Sequence, residues 1–154
     1  LLEANKKLIF NDFIVTTFSV NHFKCPCLGF RIEIEDKVIV VAVDTNANLD
    51  LTSLELMKNA VLLFLDGMAE SNREILLAKR DLSEKSEAEF NATTDPNKRG
   101  HMLIPEAIDL SKKLCAKKTI LTHISHYNLP HEQMQAKYEA NNLLLGFDGM
   151  KISL

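Results

Sequence analysis

Val38-Ile39-Val40-Val41-Ala42-Val43-Asp44 is the stretch that decides the architecture of this chain. A strand that alternates apolar and polar residues rests one face on a core and wets the other. A run that is apolar at every position is buried on both faces, in the middle of a sheet. Here the run ends on a carboxylate. Val61-Leu62-Leu63-Phe64-Leu65 repeats the arrangement and ends on a second carboxylate, Asp66. Between the two runs lie a loop over Thr45–Leu51 and then Thr52-Ser53-Leu54-Glu55, the spacing of a capping box. That spacing predicts a short helix reaching to about Asn59. Strand, helix, strand in that order favours a parallel pair, because parallel neighbours need a crossover. The fold class expected is α/β.

Working outward, Lys6–Phe10 and Phe13–Val20 are apolar runs joined by Asn11-Asp12, which reads as a hairpin turn. Leu28–Glu35 alternates: Leu28, Phe30, Ile32 and Ile34 point one way, while Arg31, Glu33 and Glu35 point to a wet or partly covered face. Asp36-Lys37 turns the chain into Val38. An antiparallel meander followed by parallel strands makes a mixed sheet. Toward the C-terminus, Ile104, Ala107, Ile108, Ser111, Leu114 and Cys115 recur at helical spacing, with Pro105 in the first turn. Cys115 is expected to be buried on that helix. Thr119–Ile124 is a strand, and Asn128–Asn141 is a helix entered through Pro130. Leu143–Phe147 and Met150–Leu154 are strands around the turn Asp148-Gly149. Residues 69–99 differ from their surroundings in being rich in Glu, Lys, Ser and Asn. They read as a polar surface insertion, with a helix near Arg73–Phe90 and a loop over Asn91–Arg99. Asn91-Ala92-Thr93 matches a glycosylation acceptor, a match assigned to chance.

The 154 residues make one domain or part of one. A start at Leu1 without Met, entering a strand almost at once, suggests a segment of a longer protein. The net charge of −3 gives no global attraction to a phosphate backbone, which favours a small substrate over nucleic acid. The pairs Lys112-Lys113 and Lys117-Lys118 read as cations at a helix end. No apolar run approaches the ~20 residues needed to cross a bilayer, and the start is not a secretory signal. An odd number of cysteines, three, rules out a complete disulfide framework, so a cytoplasmic location is expected. Cys25-Pro26-Cys27 has one intervening residue, a spacing that suits neither structural zinc nor redox pairs.

The titratable residues carry the functional expectation. His22, Asp44 and His123 each follow the C-terminal end of a strand-like run, where ligands collect in open α/β sheets. A carboxylate ending a buried strand needs a partner, either a metal or a backbone cap. Two metals about 3.5–4 Å apart can clamp the attacking and leaving oxygens of a phosphodiester, and imidazole with carboxylate suits zinc or manganese. Asp44, with two oxygens, could bridge them. An uncoordinated imidazole can protonate a leaving alkoxide or pair with phosphate; His101, directly after Gly100, and His126, in His123-Ile124-Ser125-His126, are the candidates. His131 reads as a surface residue, and Asp66 as a supporting group beside the site.

Taken in order, Val20-Asn21-His22, Gly29-Phe30-Arg31-Ile32, Val43-Asp44-Thr45, Gly100-His101 and Leu121-Thr122-His123-Ile124-Ser125-His126 resemble the second half of the metallo-β-lactamase fold in its phosphodiesterase branch. The tail Gly146-Phe147-Asp148-Gly149-Met150-Lys151-Ile152 makes the chain similar to the phosphoribosyl cyclic phosphodiesterases. Ribonuclease Z is similar over the same stretch but normally lacks that tail. The resemblance implies the C-terminal half of an αββα sandwich: a mixed sheet with helices on one face, its apolar inner face awaiting the other half-sheet. It also implies two divalent metal ions, zinc or manganese, with His22 on one, His123 on the other and Asp44 on both. His101 would act on the phosphate or leaving group, His126 would be a second phosphate-site residue, and Asp148 matches a signature position.

One departure matters. The family's first half carries a His-x-His-x-Asp-His motif supplying the other four ligands, and this sequence has none. Each metal would receive only two ligands from this chain. Expected partners are therefore a small phosphodiester substrate and the missing N-terminal half or a second chain, with a homo-oligomer as one form of the latter. The alternatives are a ribonuclease Z-like endonuclease and a non-catalytic half-domain that serves as an interaction module.

Overall fold

The computed structural model describes residues 2–72, 95–140 and 142–153. Among these residues seven strands form one sheet whose spatial order follows the chain. β1 (Lys7–Ile9), β2 (Ile14–His22), β3 (Cys25–Ile34) and β4 (Lys37–Ala42) run antiparallel to their neighbours. β5 (Leu62–Asp66), β6 (Thr119–Thr122) and β7 (Leu143–Leu145) continue parallel from β4. α1 (Leu51–Met57), α2 (Ile104–Lys113) and α3 (His131–Tyr138) each precede the next parallel strand. The sheet is mixed, as expected, and the strand–helix–strand order does produce a parallel pair.

β4 lies in the middle of the sheet, but its two faces differ. Val40 and Ala42 are fully buried, whereas Ile39 and Val41 are half-buried. The register extends each face. Phe18, Val40, Ala42, Leu63, Leu65 and Leu121 join one core cluster with Met57 of α1, Leu110 of α2 and Met134 of α3, so the described helices cover a single face. The opposite face carries Phe30, Ile32, Ile39, Val41 and Phe64, all half-buried. This is the apolar inner face expected from the sequence. The C-terminal tail shields part of it: Phe147, Met150 and Ile152 wall a cavity of about 660 Å³ over Leu62 and Ile120.

On β3 the polar side lies on the helical face. Arg31 Nη1 donates 2.9 Å to the carbonyl of Leu56 at the end of α1, where the helix dipole favours a cation. Four local expectations need correction. α1 is capped by Asp50, whose carboxylate accepts from Ser53 N at 2.8 Å, rather than starting at Thr52. α3 spans His131–Tyr138, shorter than the run from Asn128 to Asn141. Cys115 is exposed with φ 54°, just beyond the end of α2. Residues 151–153 form no strand, although the turn before them exists, with Met150 N donating 3.1 Å to Phe147 O. The helix expected near Arg73–Phe90 and the Asn91-Ala92-Thr93 match lie outside the described residues. The flanks of that segment are packed in: Ala69 is fully buried and Arg99 nearly so.

Gly29 faces Phe18 across the β2–β3 pair, and a Cβ there would stand 2.4 Å from the Phe18 ring. Phe18 is fully buried and cannot retreat without disturbing the core. Gly29→Ala is expected to lower unfolding stability by about 1–3 kcal/mol, read from the denaturant midpoint.

Candidate metal centre

The carboxyl ends of β2, β4, β5 and β6 lie along one edge of the sheet, with the start of β3 between the first two, and the side chains there converge. Asp44 and His123 each follow their strands with positive φ, 54° and 60°. Left-handed backbone is uncommon outside glycine, though Asp and His tolerate it better than most, and such residues cluster where a site over-determines them. The bend brings the two together: His123 Nδ1 lies 2.9 Å from Asp44 Oδ1. The His101 ring stacks on His123, with centroids 4.6 Å apart and 20° between planes. His22 meets His101 edge-on at 4.8 Å between centroids, and their Nε2 atoms face each other at 3.3 Å.

His101 is held from behind. Its Nδ1 lies 2.8 Å from Oδ2 of Asp66, a fully buried carboxylate. Asp66 also accepts from Thr45 N at 3.2 Å and from Met68 N at 3.0 Å. A carboxylate only accepts, so the proton sits on His101 Nδ1 and the Nε2 lone pair is turned toward His22. Thr45 ties the strand ends further, since its Oγ1 accepts from Asn21 N at 3.1 Å, next to His22. The loop carrying His101 is anchored by Arg99, whose guanidinium pairs with Glu106 and whose carbonyl accepts from Asn46 Nδ2 at 2.7 Å.

These residues fit a divalent metal. One ligand atom each from Asp44, His101 and His123 lies within 4.8 Å of the others. His22 Nδ1 and Asp44 Oδ1 are buried atoms without a hydrogen-bond partner of good geometry among the described residues. Two imidazole nitrogens facing each other repel unless a proton or a cation stands between them.

His22, Asp44 and His123, proposed from sequence as ligands, and His101, proposed as a catalytic group, therefore meet in one place. His126 does not join them. It is exposed on the loop after β6, its ring 4.1 Å from that of Tyr127. Cys25 and Cys27 are free thiols opposite His22 and Val20 on the neighbouring strand. Burial and then the charge of Asp44 push the Cys27 thiol up, and neither cysteine belongs to the ligand cluster. Asp66, read from sequence as a supporting group, grips His101. One contributor was not assigned from sequence: Gly100, where a Cβ would lie 2.5 Å from His22 Cδ2. Gly100→Ala must displace either His22 or the His101 loop. It is expected to weaken zinc binding by about 10-fold or more with a smaller change in unfolding midpoint, measured by competition with a chelating dye.

The chain matches the Beta-lactamase superfamily domain over residues 2–124. No curated protein matches it. Among solved structures it is similar to a diphosphatase of the PhnP family, at 20% identity and a TM-score of 0.70, covering 99% of this chain and 47% of that one. Zinc-bound PqqB from Methylobacterium extorquens aligns at 17% identity and a TM-score of 0.69, covering 99% and 51%. The short form of human tRNase Z aligns at 20% identity and a TM-score of 0.61, covering 95% and 44%. This chain thus spans about half the length of these three structures, and identities this low establish a shared fold. With the domain matched across 123 of its 154 residues (2 to 124 inclusive) and a mixed sheet superposing on metallo-β-lactamase folds, the chain belongs to the beta-lactamase superfamily.

Proposed function

We propose that this chain carries one side of a metal-dependent phosphodiesterase centre acting on a small cyclic or sugar-linked phosphodiester. The observation that supports it most is the convergence of His22, Asp44 and His123 from strand ends with His101 from the loop before α2, whose imidazole is fixed from behind by a buried carboxylate. His22 and Asp44 would hold one zinc or manganese ion, and Asp44 and His123 a second, with the remaining ligands supplied from outside this chain by the other half-domain or by a second chain. Bound metal supplies a hydroxide nucleophile near neutral pH and charge stabilisation at the phosphoryl oxygens. In the hydrolysis a water oxygen bonds to phosphorus, one P–O ester bond breaks with its electron pair, and the departing oxygen takes a proton. His101 is placed to carry that proton: with Nδ1–H held by Asp66, its Nε2 faces the centre, takes up the proton released by the attacking water and, as the imidazolium, delivers it to the departing oxygen. His126 is exposed on the loop after β6, three residues beyond His123, and would pair with a phosphate oxygen of the bound substrate.

Turnover of a ribose cyclic phosphate against a tRNA precursor, by this chain together with the half that supplies the remaining ligands and with zinc or manganese present, tests the reading. The cyclic phosphate is expected to be the better substrate, in keeping with the net charge of −3. Preference for the tRNA precursor would favour the ribonuclease Z-like alternative, and turnover of neither would favour an interaction module. His101→Ala is expected to retain metal and lose about 100-fold or more in turnover. Loss of metal in that variant would make His101 a ligand instead of a proton donor.

A further inference from the structure

Residues 99–103 form the loop that carries His101 into the centre, and a single carboxylate holds both ends of it. Glu106 stands in the first turn of α2. Its Oε1 accepts from Arg99 Nη2 at the start of the loop, and its Oε2 accepts from Leu103 N at the end, at 2.9 Å. Arg99 is fixed at two further points. Its Nη1 donates 3.3 Å to Asn72 Oδ1, and its carbonyl accepts from Asn46 Nδ2 at 2.7 Å. Beside the end of the loop, Met68 N donates 3.1 Å to Met102 O, and Ile104 N donates 2.8 Å to Ala69 O.

The Arg99 guanidinium is 2% exposed, and its Nε is buried without a hydrogen-bond partner among the described residues. Taking a guanidinium out of water is costly, and a buried ion pair often stabilises no better than apolar side chains of the same volume. Stability alone therefore does not account for the pair. The geometry it imposes does. Gly100, between Arg99 and His101, passes so close to His22 that a Cβ would lie 2.5 Å from the ring. The His22 and His101 Nε2 atoms then face each other at 3.3 Å, while His101 Nδ1 stays 2.8 Å from Asp66. A shift of the loop by about 1 Å would break one contact or the other, and misplacement on that scale can cost about 100-fold in rate.

We propose that Glu106 and Arg99 are positioning residues for His101: the pair sets the loop so that Nε2 faces the centre while Nδ1–H remains on Asp66. The kinetic consequence rests on the phosphodiesterase reading; the placement of the imidazole does not.

The test compares Glu106→Gln, Arg99→Lys and Arg99→Met with the unaltered chain. Glutamine keeps the size of Glu106 but turns one of its two accepting oxygens into a donor. Lysine keeps the cation and loses the fork; methionine loses both. Glu106 is 26% exposed at its side chain, so Glu106→Gln carries the test should Arg99→Met fail to fold. The first readout is the proton NMR line of His101 Nδ1–H in this chain by itself, assigned by its loss in His101→Ala. It is expected to move or broaden in Glu106→Gln and Arg99→Met, and to change less in Arg99→Lys. The second is turnover of a ribose cyclic phosphate by the chain together with the half that supplies the remaining ligands. Glu106→Gln is expected to lower kcat about 10-fold or more with KM within about twofold, and His22 and His123 should still respond to zinc. An Nδ1–H line and a kcat that stay as they were in Glu106→Gln, with only the unfolding midpoint lowered, would overturn the proposal. Equal changes in Arg99→Lys and Arg99→Met would also overturn it, because the cation would then play no part. A displaced His101 line where the unaltered chain and its other half hydrolyse no diester would uphold the positioning and remove the phosphodiesterase reading.

Discussion

Asp44→Asn is expected to remove divalent-metal binding from this chain, lowering zinc affinity by more than about 100-fold, while the fold survives. Asparagine has the size of aspartate and tolerates the left-handed backbone that residue 44 adopts at φ 54°. The substitution therefore isolates the charge. Asp44 contributes the carboxylate that stands 2.9 Å from His123 and belongs to the ligand cluster. It is also the residue proposed to touch both metals, so its loss removes a ligand from each. Asp44→Ala would add about 1 kcal/mol of backbone strain to the same loss, because alanine gains nothing in that conformation. Asp109→Asn, on the exposed side of α2, changes the net charge equally and should leave metal binding as it was. Metal content after dialysis, compared among the three variants, decides the matter. Equal losses at 44 and 109 would mean that net charge, and not a site, holds the metal.

The second large effect belongs to Asp66→Asn. The carboxylate is fully buried and accepts from two backbone amides and from His101. An amide has one accepting oxygen, and its NH2 would confront donors. A buried donor without a partner costs about 1–3 kcal/mol, so a loss of about 2–4 kcal/mol in unfolding free energy is expected for this substitution. His101 would also lose the partner that fixes its tautomer, and turnover should fall about 10–100-fold through kcat. Denaturant unfolding and steady-state kinetics read the two effects separately. Unchanged kcat with reduced stability would make Asp66 a strand-end cap and nothing more.

The sequence made some of this legible and not the rest, for physical reasons. The runs ending in Asp44 and Asp66 identified the central strands because a strand with neighbours on both sides and no wet face takes apolar side chains throughout, although burial on both faces was overstated: Ile39, Val41 and Phe64 are half-buried. What the run in β4 could not tell was which face would be less covered. Val40 and Ile39 are equally apolar, and only the placement of the helices separates them. The meeting of His22 with His101 joins residues 79 apart in sequence, through a loop anchored by Arg99 and Glu106, and no local pattern encodes that. The strand expected over Met150–Leu154 fails because pairing needs a neighbour. The turn forms, but the tail folds over Leu62 and Ile120, where burial outweighs β-propensity. Cys115 fits the helical spacing, yet α2 stops at Lys113 and the chain turns left-handed there. His131 reads as surface by its position at a helix start, and only its packing against Phe147 shows that it lines a cavity.

The central claim is that imidazoles from separate strand ends share metal with Asp44. Nitrogen-15 NMR of the histidine side chains during a zinc titration tests it most directly. The account predicts that the His22 and His123 imidazoles shift together as zinc is added, that those of His126 and His131 do not, and that Asp44→Asn abolishes the response. Shifts confined to His126 and His131, or a response in which His22 and His123 do not move, would contradict it.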